Sequence, residues 1–452
     1  MNILLIFPSK LDHNERPIKY KKGFLPPLSL AILHSLTPAQ HKVEVVNDFV
    51  EDVDFSRSYD LVGITAMTSQ VVRAYQIADR FRNQGIMVVI GGIHASVLPE
   101  EAKQHADSVV IGEAENIWEQ VVTDAADGRL KEFYQDHSVP DLHEPVIPKW
   151  DGMDLDIYPK PIGYKLPMMP IFTTRGCPFG CKFCSVTKYY GKTHRVKPIS
   201  HVLKEIDSVN AEKFFFVDDN IVFNVDYSRE LFKSISRKNI RWFSQVSTTV
   251  LKNPDLIDLA GKSGCVGLLV GIESIDNKNL RDVGKGFNKS EEYEELFCRF
   301  RKAGIKPFPS IIFGFDNDDE EVFKMTLDFM TKTKVSQASL CVLTPLPGTT
   351  LFEEMESEGR LLHRKWSMYD FSNIVFKPKN FTESELRTKY WETYRDFYSW
   401  KNLVRRICYG VTISPDMFRA ICHGLFYGLH FRKTVYSCEH PFSGGVGRIK
   451  DC

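Results

Sequence analysis

The chain has 452 residues, more than one core usually carries, since single domains rarely grow past ~250–300 residues, so two or three domains are expected. With 43% hydrophobic and 26% charged residues it belongs to neither a disordered nor a fibrous class. Lys+Arg and Asp+Glu both number 58, which removes the basic footprint of a dedicated nucleic-acid binder and leaves a small molecule as the expected partner.

The opening apolar run, Ile3 to Phe7, is broken at once by Pro8 and then by charges, unlike the h-region of a signal peptide. No stretch approaches the ~20 apolar residues of a membrane span. A cytoplasmic chain without a transmembrane segment is expected, in which the ten cysteines are reduced thiols or ligands.

Residues 1–127 alternate apolar β-branched runs with helical patterns. In order they are NILLIF, a helix near Leu28–Ser35, KVEVV, LVGITA, a helix over Val71–Arg82, MVVIGG, VVIGE and a helix from Glu115. Continuous apolar strands separated by helices predict a parallel sheet covered on both faces, a Rossmann-like or flavodoxin-like α/β domain with its ligand site at the carboxyl ends of the strands. Those ends carry Pro8, Ser9, the run Thr65 to Ser69, Gly91, Gly92, Gly112 and Glu113. Glycine there lets backbone approach a nucleotide-like group closely.

Residues 128–169 lose this periodicity and hold most of a proline run that ends at Pro170, which reads as an ordered linker. Over 170–349 strand and helix alternate again, through PIFTT, KFFFVDD, WFSQVS, VGLLVGIE, PFPSIIFGF and ASLCVLTPLP. About six β/α units predict a TIM-like barrel, complete or partial, with polar residues gathered at its carboxyl strand ends. Residues 350–452 are mostly helical and aromatic, a smaller C-terminal region.

Directly after the first barrel strand, TTRGCPFGCKFCSV sets Cys177, Cys181 and Cys184 with three and then two residues between them. Three thiolates on a tight loop eased by Gly176, Pro178 and Gly180 can hold three irons of a cubane and leave the fourth open to chelate a small substrate. A structural zinc site would want a fourth ligand, for which His194 is the nearest candidate, and a ferredoxin-type cluster would want a fourth cysteine in the run. A non-catalytic iron–sulfur or zinc module therefore stands beside the enzyme reading.

The C-x3-C-x2-C spacing with Phe183 before the last cysteine resembles the signature of the radical S-adenosylmethionine (SAM) superfamily. The resemblance implies a [4Fe–4S] cluster on Cys177, Cys181 and Cys184 and reductive cleavage of SAM to methionine and a 5′-deoxyadenosyl radical, with the electron coming from a flavodoxin or ferredoxin. It further implies SAM contacts at Phe183, Asp218, Asp219, Gln245, Glu273 and Ser274, with simple strand-end capping as the alternative for the polar residues.

The run from Val62 to Glu115, with LTPLPGTTLFEE beyond, is similar to the cobalamin-binding branch of that superfamily. This implies cobalamin resting on Thr65, Met67, Thr68, Ser69, Gly91, Gly92 and Gly112, and C-methylation of an unactivated carbon of a small-molecule or lipid metabolite. Cyclisation, dehydration or rearrangement with a vestigial cobalamin domain is the alternative. The D-x-H-x-x-G motif that supplies an axial histidine elsewhere is absent, His13 lacks the glycine, and His94 reads as a structural strand-end histidine.

In the C-terminal region Tyr390, Trp391, Tyr394, Phe397, Tyr398 and Trp400 form a packing face expected against the barrel mouth, followed by Arg405 and Arg406. The stretch DMFRAICHGLFYGLHFRK is amphipathic with a cationic end, read as a domain-covering helix or as a surface for a membrane or an apolar substrate. Cys408, Cys422, Cys438 and Cys452 are too scattered in sequence for a second cluster.

Overall fold

The computed structural model describes residues 1–143, 146–160, 163–413, 417–442 and 444–449. The first sheet has six parallel strands, in the spatial order Lys42–Asn47, Asn2–Phe7, Leu61–Thr65, Met87–Gly91, Ser108–Ile111 and Phe133–Gln135. Their unbroken apolar runs are explained by burial on both faces. Leu4, Ile6, Val62, Ile64, Val88 and Ile90 pack on the helix Val71–Arg82, while Ile3, Leu5, Leu61, Val89 and Val110 pack on Leu28–Leu36 and Trp118–Ala126. Numbered by their sequence in this sheet, the first five strands run 2-1-3-4-5, the flavodoxin-like arrangement. The sixth, Phe133–Gln135, lies inside the stretch that reads as a linker, because three residues are too few for strand periodicity to register.

The second sheet also has six parallel strands, here in chain order: Met169–Ile171, Lys213–Phe216, Arg241–Val246, Cys265–Glu273, Lys306–Phe313 and Ser339–Val342. The first and last do not pair with each other, so the barrel is open. Alternate residues such as Phe214, Phe216, Trp242, Leu268, Val270, Ile311 and Phe313 are buried in one core with the surrounding helices. Their neighbours Phe215, Phe243, Gln245, Leu269, Ser310 and Ile312 face the lumen, partly exposed.

An open sheet edge leaves backbone groups without partners. On Ser339–Val342 they are met by side chains and a loop: Leu340 N–H donates to Tyr394 Oη at 3.2 Å, Tyr390 Oη donates to the Leu340 carbonyl at 3.0 Å, and Val342 N–H donates to the Phe371 carbonyl at 2.7 Å. The helix Glu383–Phe397 thus runs along the barrel's last strand, and its aromatic face covers that edge instead of the mouth.

Residues beyond 350 share the two cores. Phe352, Trp366, Tyr369 and Val375 pack into the first sheet's core, and Tyr390, Trp391, Tyr394, Phe397 and Tyr398 into the barrel's. Gly445–Ile449 pairs antiparallel with Lys19–Gly23, bringing the far ends of the chain together. Among the described residues no helix is long and apolar enough to cross a membrane. Cys422 and Cys452, Pro145 and Pro161 of the proline run, and the side chains that open the amphipathic stretch lie outside what is described.

Candidate active site

The cysteine loop is held by the strand that follows it in the barrel. Asp218, with no exposed surface, accepts the backbone N–H and the hydroxyl of both Thr173 and Thr174, with Thr173 Oγ1 at 2.8 Å and Thr174 Oγ1 at 2.6 Å. Four donors fix the turn just before the loop. Asp219 Oδ2 then accepts from Gly176 N–H at 3.1 Å, and burial pushes the Asp219 carboxyl up to about 6. Gly176, at φ 86°, cannot be replaced freely, since a Cβ there would meet the Thr193 carbonyl oxygen at 2.5 Å. On the far side, Lys182 N–H donates to the Val283 carbonyl at 3.0 Å.

Cys177, Cys181 and Cys184 are half-buried free thiols on this loop. Burial raises the pKa of all three, Cys184 to about 12, and a bound metal would take the proton's place on each. Among the described residues no three His, Cys, Asp or Glu side chains lie close enough to hold a single ion. An iron–sulfur cage asks for something else, one thiolate per iron at separate corners, and three free thiols on a glycine-hinged loop fit that demand.

Beside the loop sits a buried ion pair. Lys285 Nζ lies 2.5 Å from Glu273 Oε1, directly over Gly271, where a Cβ would meet Oε1 at 2.6 Å and Nζ at 2.7 Å. Burial opposes the Lys285 ammonium, but Glu273 and then Cys181 more than offset it, and its pKa ends above the ordinary lysine value. Glu273 itself holds φ 58°, an uncommon conformation for a residue with a side chain and a mark of a constrained site. Gln245 faces the lumen half-buried, whereas Ser274 is buried with its hydroxyl accepting from Asp276 N–H at 3.0 Å. Phe183 packs partly buried against the barrel core. Lys285 escaped the sequence reading; its only local signal is a basic residue between Gly284 and Gly286.

In the first domain a cavity of about 140 Å³ opens at the carboxyl ends of the strands, lined by Thr65, Gly91, Gly92 and Gly112 together with Trp118 and Tyr190. Its glycines are tightly placed: a Cβ at Gly63 would meet Leu5 Cδ2 at 2.9 Å, and one at Gly92, where φ is 95°, would meet Ala66 backbone at 2.8 Å. Such a glycine-lined slot beneath the strand ends fits the nucleotide tail of cobalamin. Met67, Thr68 and Ser69 do not line it: Met67 is 53% exposed, Ser69 is half-buried, and Thr68 is buried against His94. His94 is a structural residue, with Nδ1 3.3 Å from Thr68 Oγ1 and Nε2 3.2 Å from Glu101 Oε1, so both ring nitrogens have partners. His13 is exposed in a distant loop.

The slot and the cysteine loop share a wall. Arg175, two residues before Cys177, pairs with Glu113 and Glu115 of the first domain, and Arg195 pairs with Glu113. Tyr189, from the helix Ser185–Tyr190 that follows Cys184, donates its hydroxyl to the Gly112 carbonyl at 2.8 Å. Arg175, Tyr189 and Tyr190 all line the cavity.

Comparison with known proteins gives this pairing of domains a class. Residues 171–330 match the Radical SAM superfamily and residues 21–122 the B12 binding domain. The bacteriochlorophyllide d C-12(1)-methyltransferase of Chlorobaculum tepidum is 33% identical over 84% of this chain and 84% of its own length. The C-8(2)-methyltransferase of the same organism is 32% identical over 88% and 89%. Among solved structures, the radical SAM methyltransferase TsrM of Kitasatospora setae, with cobalamin and a [4Fe–4S] cluster bound, has the same fold, at TM-score 0.66 and 16% identity over 96% of this chain and 99% of that one. The chain belongs to the family of cobalamin-binding radical SAM enzymes. Its cofactors are accordingly a [4Fe–4S] cluster, SAM and cobalamin.

Proposed function

We propose that this enzyme transfers a methyl group to an unactivated carbon of a largely apolar small-molecule or lipid metabolite. The observation that carries the reading is the shared wall: the loop of Cys177, Cys181 and Cys184 and the slot lined by Gly91, Gly92 and Gly112 meet through Arg175, Tyr189 and Tyr190. Radical generation and methyl supply must address one substrate carbon, and that requires their sites to adjoin.

When bound, the cluster supplies the electron that splits SAM into methionine and a 5′-deoxyadenosyl radical, and cobalamin supplies the methyl group. The chain's own residues do the holding. Cys177, Cys181 and Cys184 would hold the cluster through their three thiolates. The Lys285–Glu273 pair offers the amino acid end of SAM a fixed buried dipole, and Asp219 and Gln245 present polar groups at adjacent strand ends. Phe215, Phe243, Leu269 and Ile312 make the lumen apolar and keep water from the radical. The relatives named as bacteriochlorophyllide d methyltransferases support a largely apolar metabolite as substrate. A flavodoxin or ferredoxin brings the electron, and the enzyme works in the cytoplasm, where its thiols stay reduced.

The test is anaerobic reconstitution followed by assay with SAM and a reductant. The iron-loaded protein is expected to release 5′-deoxyadenosine, and each of Cys177→Ala, Cys181→Ala and Cys184→Ala to abolish that release; cleavage that persists in these variants refutes the cluster assignment. Methyl transfer from labelled SAM is expected only in protein that also retains cobalt, and product formed equally well by cobalt-free protein refutes the methyl-transfer reading.

A further inference from the structure

The helices Trp400–Ile413 and Met417–Tyr436 pack against each other beneath the barrel, at the amino ends of its strands, where Leu403, Ile407 and Phe431 close a small cavity against Lys306 and Gln337. Gly424 and Gly428 let the helices touch, since a Cβ would meet Ile407 at 3.0 Å and Leu403 at 2.2 Å. This inner face is ordinary domain-covering packing.

Among the described residues nothing covers the outer face. Six of the fourteen exposed large apolar side chains of the described residues, Trp400, Val404, Leu425, Phe426, Leu429 and Tyr436, fall on this hairpin, which is not the scattered exposure of a normal surface. Trp400, Val404 and Phe426 are 59%, 63% and 57% exposed. Arg432 ties the two helices together on this side, its guanidinium 4.7 Å from the Trp400 ring of the first and 4.0 Å from the Tyr436 ring of its own helix.

Charge identifies the occupant. From Ser399 to Ser437 the sequence holds six basic residues, Lys401, Arg405, Arg406, Arg419, Arg432 and Lys433, and one acid, Asp416, in a chain whose net charge is +0. Arg406 turns inward over the Tyr398 ring at 4.2 Å, but Lys401 and Lys433 are exposed beside the apolar stripe. A second copy would bring like charges together, whereas an anionic bilayer offers both phosphates for the lysines and an apolar layer for the aromatic side chains.

We infer that this hairpin docks the enzyme on an anionic phospholipid surface, lying in the interface without crossing it. Trp400, Val404, Phe426 and Leu429 enter the headgroup boundary, and Lys401 and Lys433 meet the phosphates. Docking through the floor turns the cysteine loop, at the opposite ends of the strands, away from the membrane and toward a soluble electron donor. The inference does not depend on the methyl-transfer reading.

Sedimentation of the full-length, cofactor-loaded protein with vesicles of phosphatidylcholine, with and without phosphatidylglycerol, tests it. The protein is expected to sediment with the anionic vesicles and not the neutral ones, and to be released by high salt. Trp400→Ser and Phe426→Ser should each weaken binding about ten-fold, as the loss of one buried apolar anchor does, and Lys401→Glu with Lys433→Glu should abolish it. Iron content, cobalt content and SAM cleavage should stay as in the parent protein, which shows that the variants fold. No binding to anionic vesicles, binding that all the variants retain, or a Phe426-dependent dimer in ultracentrifugation in place of vesicle binding would each overturn the inference.

Discussion

Tyr189 and Gly112 join the two halves of the molecule through one hydrogen bond of 2.8 Å, the phenol of the helix after Cys184 donating to the carbonyl at a strand end of the first domain. With the Arg175 pairs to Glu113 and Glu115, this bond makes the loop proposed for the cluster and the slot proposed for cobalamin a single mechanical unit.

Removing the phenol tests that coupling. Tyr189→Phe deletes one partly buried hydrogen bond, worth about 1 kcal/mol, and leaves the thiols untouched. Hydroxocobalamin should bind about five-fold more weakly by absorbance titration, with SAM cleavage near the parent rate. Loss of SAM cleavage with hydroxocobalamin binding unchanged would show that the bond serves the cysteine loop alone.

Two glycines should separate the cofactors. Gly92→Ala forces a Cβ onto Ala66 backbone at a positive φ, and Gly176→Ala forces one onto the Thr193 carbonyl. The first should lower cobalt content at normal iron, the second iron content at normal cobalt. Metal analysis of the two purified variants checks this, and a parallel loss of both metals in either would count against separate sites.

His440 predicts a loss of stability in acid. Its Nε2 lies 3.1 Å from the Leu340 carbonyl on the barrel's open edge, and Nδ1 accepts from Phe442 N–H at 3.3 Å, so the neutral ring is the bonded form. Burial, then Lys10, push its pKa down to about 4, against a partial opposing pull from Asp370. The unfolded chain takes up a proton near pH 6.5 and the folded chain does not, so this contribution is complete above pH 6.5 and is lost as pH falls toward 4, by up to about 3 kcal/mol. His440→Gln keeps a donor for Leu340 and should flatten the difference in urea unfolding free energy between pH 7 and pH 5. An unchanged pH dependence in that variant would assign the acid sensitivity elsewhere.

The Lys285–Glu273 pair should behave as a buried unit. Lys285→Met strands a carboxylate and should destabilise the fold by about 3–5 kcal/mol, while Lys285→Met with Glu273→Leu should recover most of that loss. Neither variant should regain SAM affinity, which equilibrium dialysis measures. A double variant that binds SAM normally would remove the pair from the site.

The sequence alone determined what depends on neighbours along the chain. Apolar runs revealed eleven of the twelve main strands, because buried and lumen-facing positions alike are mostly apolar, and the cysteine spacing pointed to the loop proposed for the cluster, because its three thiols sit within eight residues. Other features were set by partners far away in sequence. Asp218 stands at a strand end like a ligand, yet its carboxylate takes four bonds from Thr173 and Thr174, more than forty residues earlier. Lys285 gains meaning only from Glu273, the aromatic residues of Glu383–Phe397 turn out to close a sheet edge, and the last strand pairs with Lys19–Gly23 across nearly the whole chain. A side chain's type and local spacing are written in one dimension, but which buried donor or charge it must satisfy is decided only when packing brings distant segments together.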